Sequence, residues 1–304
     1  MKMNWKIKAF ITMIISILPF QSRIYSKVQQ KFGRYEYDAI ETFSQAMMNI
    51  QDIVTTNSLK KSLFELGSGI GLIHPLCFSL FFDSVTSVDV DEKFDLMLFR
   101  KKCIEILDEI STDPRIKDLV ANISVKKLNN FRDACFDEKL LERLGITYIS
   151  NFRATDFSSM KARYDVFYSN NTLEHIPLAE IKMILEESKK ILNPDAIHLH
   201  RIDFSDHFSH IDQSISSCNF LKYSDRLHNL IAGNQFTYHN RLRVNDFIEI
   251  FESSGYKIIK LEKNIDLAAL RLLDSGFKLD KRFVQYKKED LATQNAIFVA
   301  QVIS

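Results

Sequence analysis

Residues whose types and spacing could do chemistry fall in three stretches. The first is Leu63-Phe64-Glu65-Leu66-Gly67-Ser68-Gly69-Ile70-Gly71, an apolar run ending in glycines at GxGxG spacing. Such glycines let the backbone turn tightly and press against a ligand where a helix begins. A dinucleotide fingerprint would carry another glycine at position 72, which is Leu72, so a nicotinamide cofactor is disfavoured. The second is Asp89, 18 residues after Gly71, with Asp91 as the nearby alternative. An α/β nucleotide site sets a carboxylate for two ribose hydroxyls at about that distance. Glycines and carboxylate together predict a nucleoside site.

The third stretch is His198-Leu199-His200-Arg201-Ile202-Asp203-Phe204-Ser205-Asp206-His207-Phe208-Ser209-His210. On a strand, His198 and His200 share a side, and Asp203, Asp206, His207 and His210 follow. Three readings compete: a hydrogen-bonded loop, an acceptor-binding and general-base cluster led by His207 and oriented by Asp203, or a divalent-metal site. The spacing matches no specific metal motif, so no metal is assigned. His175, directly after Glu174, is a second candidate for proton transfer. In Tyr238-His239-Asn240-Arg241-Leu242-Arg243, the guanidinium forks of Arg241 and Arg243 could capture an anionic or hydroxyl-rich acceptor, alongside His210. Solvated charges or a helix-start ion pair are the plainer reading.

These residues need a scaffold, and the hydrophobic pattern supplies one. Strands are expected at 62–66, 84–89, 146–150, 164–169, 196–202, 256–261 and 296–302, alternating with helices such as 73–82. That alternation predicts an α/β protein with a mostly parallel, doubly wound sheet. Two excursions exceed what one connecting helix needs, Lys93 to Gly145 and Asp203 to Phe251, and such excursions usually carry lids or specificity elements. A helix is also expected over Tyr35 to Asn57. The domain reading is a helical extension over 1–58 and a main domain over 59–304, with a cap inserted around 203–251.

Four segments resemble, in chain order, those of class I S-adenosylmethionine-dependent methyltransferases. Glu65 to Gly71 resembles the first motif and Val88-Asp89 the acidic end of the second strand. Ala154-Thr155-Asp156-Phe157 resembles the segment against the adenine. Tyr164 to His175, with Leu173-Glu174-His175, resembles the fourth strand and the turn after it. The resemblance implies a Rossmann-like sheet of seven strands, the last antiparallel, and S-adenosyl-L-methionine as cofactor. It also implies roles: Gly67, Ser68 and Gly69 along the methionine part, Glu65 near its amino group and Asp89 on the ribose. Asp156 would accept from the adenine amino group with Phe157 packed nearby, and Asn170 would line the cleft. The segment from Phe204 to Arg243 resembles bacterial methyltransferases of surface-polysaccharide or glycan pathways. The expected activity is therefore O-methylation of a small or glycan-like hydroxyl acceptor. N-methylation of an amine metabolite and a non-catalytic cofactor-binding scaffold are the alternatives.

Composition narrows the partners. The chain has 304 residues, 46% of them apolar and 26% charged, which suits an ordinary soluble protein with a sizeable core. A net charge of +1 gives no field to gather nucleic acid. Cys77, Cys103, Cys135 and Cys218 form no CxxC pair or disulfide framework, and a reduced, cytoplasmic setting is expected. Lys2, Lys6, Lys8, Arg23, Lys27, Lys31 and Arg34 stand before Tyr35 with no acid among them. The apolar run from Ile7 to Phe20 is shorter than the roughly 20 residues of a spanning helix. It reads either as a helix docked on the protein or a dimer partner, or as a basic amphipathic helix on the inner membrane surface.

Overall fold

The computed structural model describes residues 4–32, 38–56, 61–92, 94–110, 112–114, 116–121 and 123–303. Lys2, Arg34, Tyr35, Asn57 and Lys93 lie outside the described residues. Seven strands are present: β1 (Ser62–Leu66), β2 (Ser84–Val88), β3 (Ile146–Ile149), β4 (Tyr164–Asn170), β5 (Leu192–Asp203), β6 (Tyr256–Ile265) and β7 (Thr293–Val302). They form one Rossmann-like sheet in the order β3-β2-β1-β4-β5-β7-β6, with the last strand antiparallel. Strands β5 to β7 run longer than their apolar cores predict.

By compactness the chain divides into Tyr37–Asn170 with Met183–His200 and Ala300–Ser304, and Met1–Glu36 with Asn171–Lys182 and Arg201–Val299. These units cut the chain elsewhere than at residue 58. The helix Trp5–Ser16 falls in one and the helix Ala39–Thr56 in the other.

The unit with residues 37–170 is built on β1, which pairs in parallel with β2 and β4, while β2 pairs with β3. Leu63, Phe64 and Glu65 of β1 are all fully buried, as expected of a central parallel strand covered on both faces. Phe64 gathers Phe152, Phe157, Tyr164 and Phe167 around its ring at centroid distances of 5.1–5.8 Å. The long excursion after β2 folds into the helices Leu96–Glu109, Lys117–Val120, Val125–Cys135 and Leu140–Arg143. Asp95 caps the first by accepting from the Leu98 N–H at 3.0 Å, and Phe99, Cys103 and Ile106 form its buried stripe. Gly145 brings the chain back into β3 at φ +68°, where an added Cβ would lie 2.6 Å from the Asp83 carbonyl oxygen. The thiols of Cys103 and Cys135 lie near enough to act on one another, a proximity that their spacing does not announce.

In the other unit the helix Trp5–Ser16 packs Trp5 and Ala9 against Phe208 and Ala232. The Trp5 N–H donates to Asp212 at 3.0 Å, and Trp5 and Phe208 stack obliquely at 5.6 Å. The stripe Lys8, Thr12, Ser16 lies on the inward side, because its hydroxyls are satisfied by the helix itself. Thr12 bonds the carbonyls of Lys8 and Ala9, and Ser16 that of Met13. The excursion after β5 contains the helices Asp225–Ala232 and Val244–Ser253.

Two imidazoles are sealed in the sheet. His198 Nδ1 lies 3.1 Å from His200 Nε2, and His200 Nδ1 lies 2.7 Å from Ser169 Oγ. His198 also stacks on Phe167 at 4.8 Å. Burial drives both basicities down, His200 to about 3 and His198 well below its usual value. In the unfolded chain an imidazole titrates near pH ~6.5. The unfolded state therefore takes up protons that the folded state refuses. The stability this pair contributes is complete above that pH and drains as pH falls towards 3, by up to about 1.4 kcal/mol per pH unit for each ring. Replacing one ring, His198→Phe, should flatten the pH dependence of urea-unfolding free energy between about pH 6.5 and 5 by that slope. Parallel curves for variant and parent would show that the ring titrates alike in both states.

Candidate active site

Each unit carries one set of the candidate residues. In the unit with residues 37–170, β1 runs into Gly67 (φ 85°) and Gly69 (φ 63°), conformations that L side chains rarely adopt. The space where a Cβ would stand on Gly69 holds no atom within 4 Å. Asp89 follows β2 and faces this turn. Its Oδ2 accepts from the Gly69 N–H at 3.1 Å and from the Ser68 hydroxyl at 3.5 Å, and its Oδ1 accepts from the Asp91 N–H at 3.0 Å. Glu65, fully buried, accepts from Ser87 Oγ at 2.5 Å through Oε2. Its Oε1 stands 3.3 Å from His74 Nδ1 and has no hydrogen-bond partner among the described residues. An open turn, a carboxylate aimed at it and an unsatisfied acceptor at its root fit the amino-acid and ribose ends of S-adenosylmethionine.

The other expected cofactor residues sit nearby in the fold with local duties. Asp156 accepts from the Arg153 N–H at 2.7 Å and so caps the short turn Ala154–Ser159, which spends one oxygen on the cap. Phe157 is fully buried in the aromatic cluster around Phe64. Asn170 is half-buried at the carboxyl end of β4.

In the second unit the sequence-separated imidazoles come together. The ring of His207 lies 4.9 Å from that of His175, 5.3 Å from His210 and 5.0 Å from His239, whose ring is 5.0 Å from His228. Five of the chain's eight histidines thus form one cluster. Asp203, at the end of β5, anchors two of them: its Oδ2 is 3.5 Å from both His207 Nε2 and His210 Nε2. The Ser205 hydroxyl donates to Asp203 Oδ1 at 2.6 Å and meets His210 Nε2 at 2.9 Å. Burial alone would raise the Asp203 carboxyl, but the His207 imidazole and the Ser205 donors outweigh it and hold the group well below the usual carboxylate range. Glu174 goes the other way. It is 3% exposed, and burial pushes its carboxyl well up, with repulsion from Asp203 adding to the effect. His239 and His228 are neutral, their basicity lowered chiefly by burial, His228 to about 3.

Asn240, which the sequence did not single out, holds the turn that carries Glu174 and His175. Its side-chain amide donates to the carbonyls of Leu173 and Ile176 at 2.8 and 2.9 Å, and its backbone N–H donates to that of Glu174 at 2.8 Å. His239 and Glu174 were visible only as neighbours of other candidates, since nothing in their spacing shows that they meet.

The two arginines correct the expectation of acceptor binding. Arg243 is 0% exposed and gives its guanidinium to the backbone carbonyls of Phe204, Asp290, Leu291 and Thr293 at 2.7–3.1 Å. Arg241 bonds the carbonyls of Phe220 and Tyr223 and the carboxylate of Asp225. Five donors per guanidinium make it suited to gathering carbonyls that helices and strands leave open. Asp206 likewise serves its loop, accepting from the Phe208 N–H and the Asn219 amide.

No family model matches this sequence, and no curated protein matches it. Solved structures do. An S-adenosylmethionine-dependent methyltransferase from Clostridium acetobutylicum is 11% identical over 93% of this chain and 99% of its own, at a TM-score of 0.47. Magnesium protoporphyrin IX methyltransferase from Synechocystis, with bound SAH, is 12% identical over 93% and 95%, also at 0.47. A glycopeptide N-methyltransferase complexed with sinefungin is 11% identical over 85% and 87%, at 0.41. At these values they are likenesses of architecture, and they bring no acceptor to this chain.

Because Arg243 closes four buried carbonyls, Arg243→Met should lower the unfolding free energy by about 3–5 kcal/mol, read by urea denaturation. A loss under about 1 kcal/mol would mean that the carbonyls find other donors.

Proposed function

We propose that the chain is an S-adenosylmethionine-dependent methyltransferase that O-methylates a small or glycan-like hydroxyl acceptor. The observation that carries this reading is the Asp89 carboxylate bonded to the Gly69 N–H across an open glycine turn, on a sheet of this strand order. When bound, the cofactor supplies a methyl group on a sulfonium, already activated for transfer. Gly67, Ser68 and Gly69 would lie along its amino-acid part, with Glu65 taking the amino group and Asp89 the ribose. Asp156, Phe157 and Asn170 would bound the adenine and the cleft. The chain's remaining tasks are alignment of the acceptor and removal of its proton. The imidazoles of His207 and His210, paired through Asp203, suit the second task, since a carboxylate held ionised stabilises a ring that takes up a proton. His175 stands beside His207 in the same cluster.

Methylation of an amine is the second reading, favoured by the unpartnered Glu174 carboxylate, which could hold an ammonium group. Incubating the protein with methyl-labelled cofactor and fractionated cell extract should place label in a carbohydrate fraction, about 10–100-fold less with Asp89→Ala. Label confined to amines, protein or nucleic acid would overturn the acceptor. Tight cofactor binding with no transfer to any fraction would point to a scaffold instead.

We also infer that the protein is cytoplasmic and rests on an anionic membrane surface through the helix Trp5–Ser16. No helix among the described residues is long and apolar enough to cross a membrane. With Trp5 and Ala9 turned inward, Ile7, Phe10, Ile11 and Ile14 form an exposed apolar stripe, Phe10 at 58%. Lys6 flanks it, and burial of such a stripe with a basic neighbour is what binds anionic lipid. Full-length protein should co-sediment with phosphatidylserine vesicles and Phe10→Glu should reduce this at least about tenfold. Equal sedimentation of both would remove the helix from membrane contact.

A further inference from the structure

Neither carboxylate oxygen of Glu174 has a hydrogen-bond partner among the described residues, though the side chain is almost wholly buried. A buried carboxylate in that position must be neutral or face a cation. Asp203 and Arg201 both act on this carboxyl, and two imidazoles stand beside it: one ligand atom each from Glu174, His175 and His207 lie within 4.8 Å of one another. We propose that these three side chains bind one divalent transition ion of the zinc type.

The supports such a site requires are in place. A carbonyl only accepts, so the 2.8 Å bond between His175 Nδ1 and the Tyr238 carbonyl oxygen puts the proton on Nδ1 and makes Nε2 the basic nitrogen. His207 Nε2 is buried, has no hydrogen-bond partner among the described residues and is flanked by Asp203 at 3.5 Å. Asn240 fixes the turn that carries the other two ligands. Two imidazoles and one carboxylate suit zinc, cobalt or iron(II) better than magnesium or calcium, which prefer oxygen alone. Around an ion with bonds of about 2.1 Å, tetrahedral ligand atoms stand roughly 3.4 Å apart, so side-chain adjustments of little more than about 1 Å close the site. Three ligands leave a position for an acceptor oxygen, whose proton the ion would make easier to remove. With His207 spent on the ion, His210 is the imidazole left on Asp203 to take that proton. No metal motif shows in the sequence because the ligands come from two segments, Glu174-His175 and His207.

Ion binding is read without the methyl donor, so its outcome is separate from that of the methyltransferase reading. Full-length protein stripped with a chelator is titrated with Co2+ alone. It should bind about one equivalent, show the intense visible bands of low-coordinate cobalt, and melt at a higher temperature with the ion than without it. Glu174→Gln and His207→Asn should each weaken Co2+ binding about 100-fold or more and abolish the thermal shift. Glu174→Gln should also melt no lower than the stripped parent, because the amide is isosteric and cannot take on a charge in the buried position. Should one variant fail to fold, the other and the cobalt spectrum of the parent still decide. Absence of the bands, or unchanged Co2+ affinity in the folded variant, overturns the site.

Discussion

The hydrogen bonds that converge on Asp89 hold the glycine turn in its working shape. Through its backbone this residue joins the ends of two segments, donating to Ile149 and accepting from Phe152, at 3.0 Å each. Through its side chain it satisfies the N–H groups of Gly69 and Asp91. The Gly67 and Ser68 N–H groups are taken by the Val88 carbonyl, one residue before. A turn with positive φ at two glycines has few internal partners for its amides, and left to itself it would sample many shapes. Tying it to the end of β2 gives it one. The same carboxylate that would hold a ribose is thus already in place before any ligand arrives, which lowers the ordering cost of binding.

What was legible in the sequence follows from how local each signal is. The β1 run, the GxGxG turn and Asp89 are neighbours in chain and in fold, so spacing alone placed them. The seven strands showed because buried parallel strands are short apolar runs, and only their ends were missed. β5, for example, begins at Leu192 and not at Ala196, since Asn193, Pro194 and Asp195 interrupt the apolar pattern without interrupting the strand. The histidine cluster was half legible. His207, His210 and Asp203 lie within one loop and could be read together. His239 and His228 arrive from a different segment, and no periodicity brings them there.

The charges that misled did so for one reason. An arginine in a sequence carries no mark of burial. Arg241 and Arg243 precede a helix, and their forks of donors suggested capture of an acceptor, with solvated charge or a helix-start ion pair as the plainer reading. The fold uses them inward, as hubs for carbonyls that regular structure leaves open. Local hydrogen bonding also decides how the N-terminal helix lies. Its hydroxyl-bearing stripe faces the protein because Thr12 and Ser16 satisfy themselves on backbone carbonyls, which frees the more apolar side to face out.

The contrast between Asp203 and Glu174 then says most about the second unit. Two carboxyl groups in one cluster are driven in opposite directions, Asp203 towards the anion by imidazole and hydroxyl donors, Glu174 away from it by burial and by Asp203 itself. The imidazoles between them are kept neutral where they are most buried, as at His239, whose ring is stacked between His207 and Phe220. Neutral rings retain a lone pair, and a lone pair is the common requirement of a proton acceptor and of a metal ligand. Packing five imidazoles together would be prohibitive if they were charged. The rings whose basicity burial lowers, His239 and His228, let the cluster pack without a build-up of charge at its buried end.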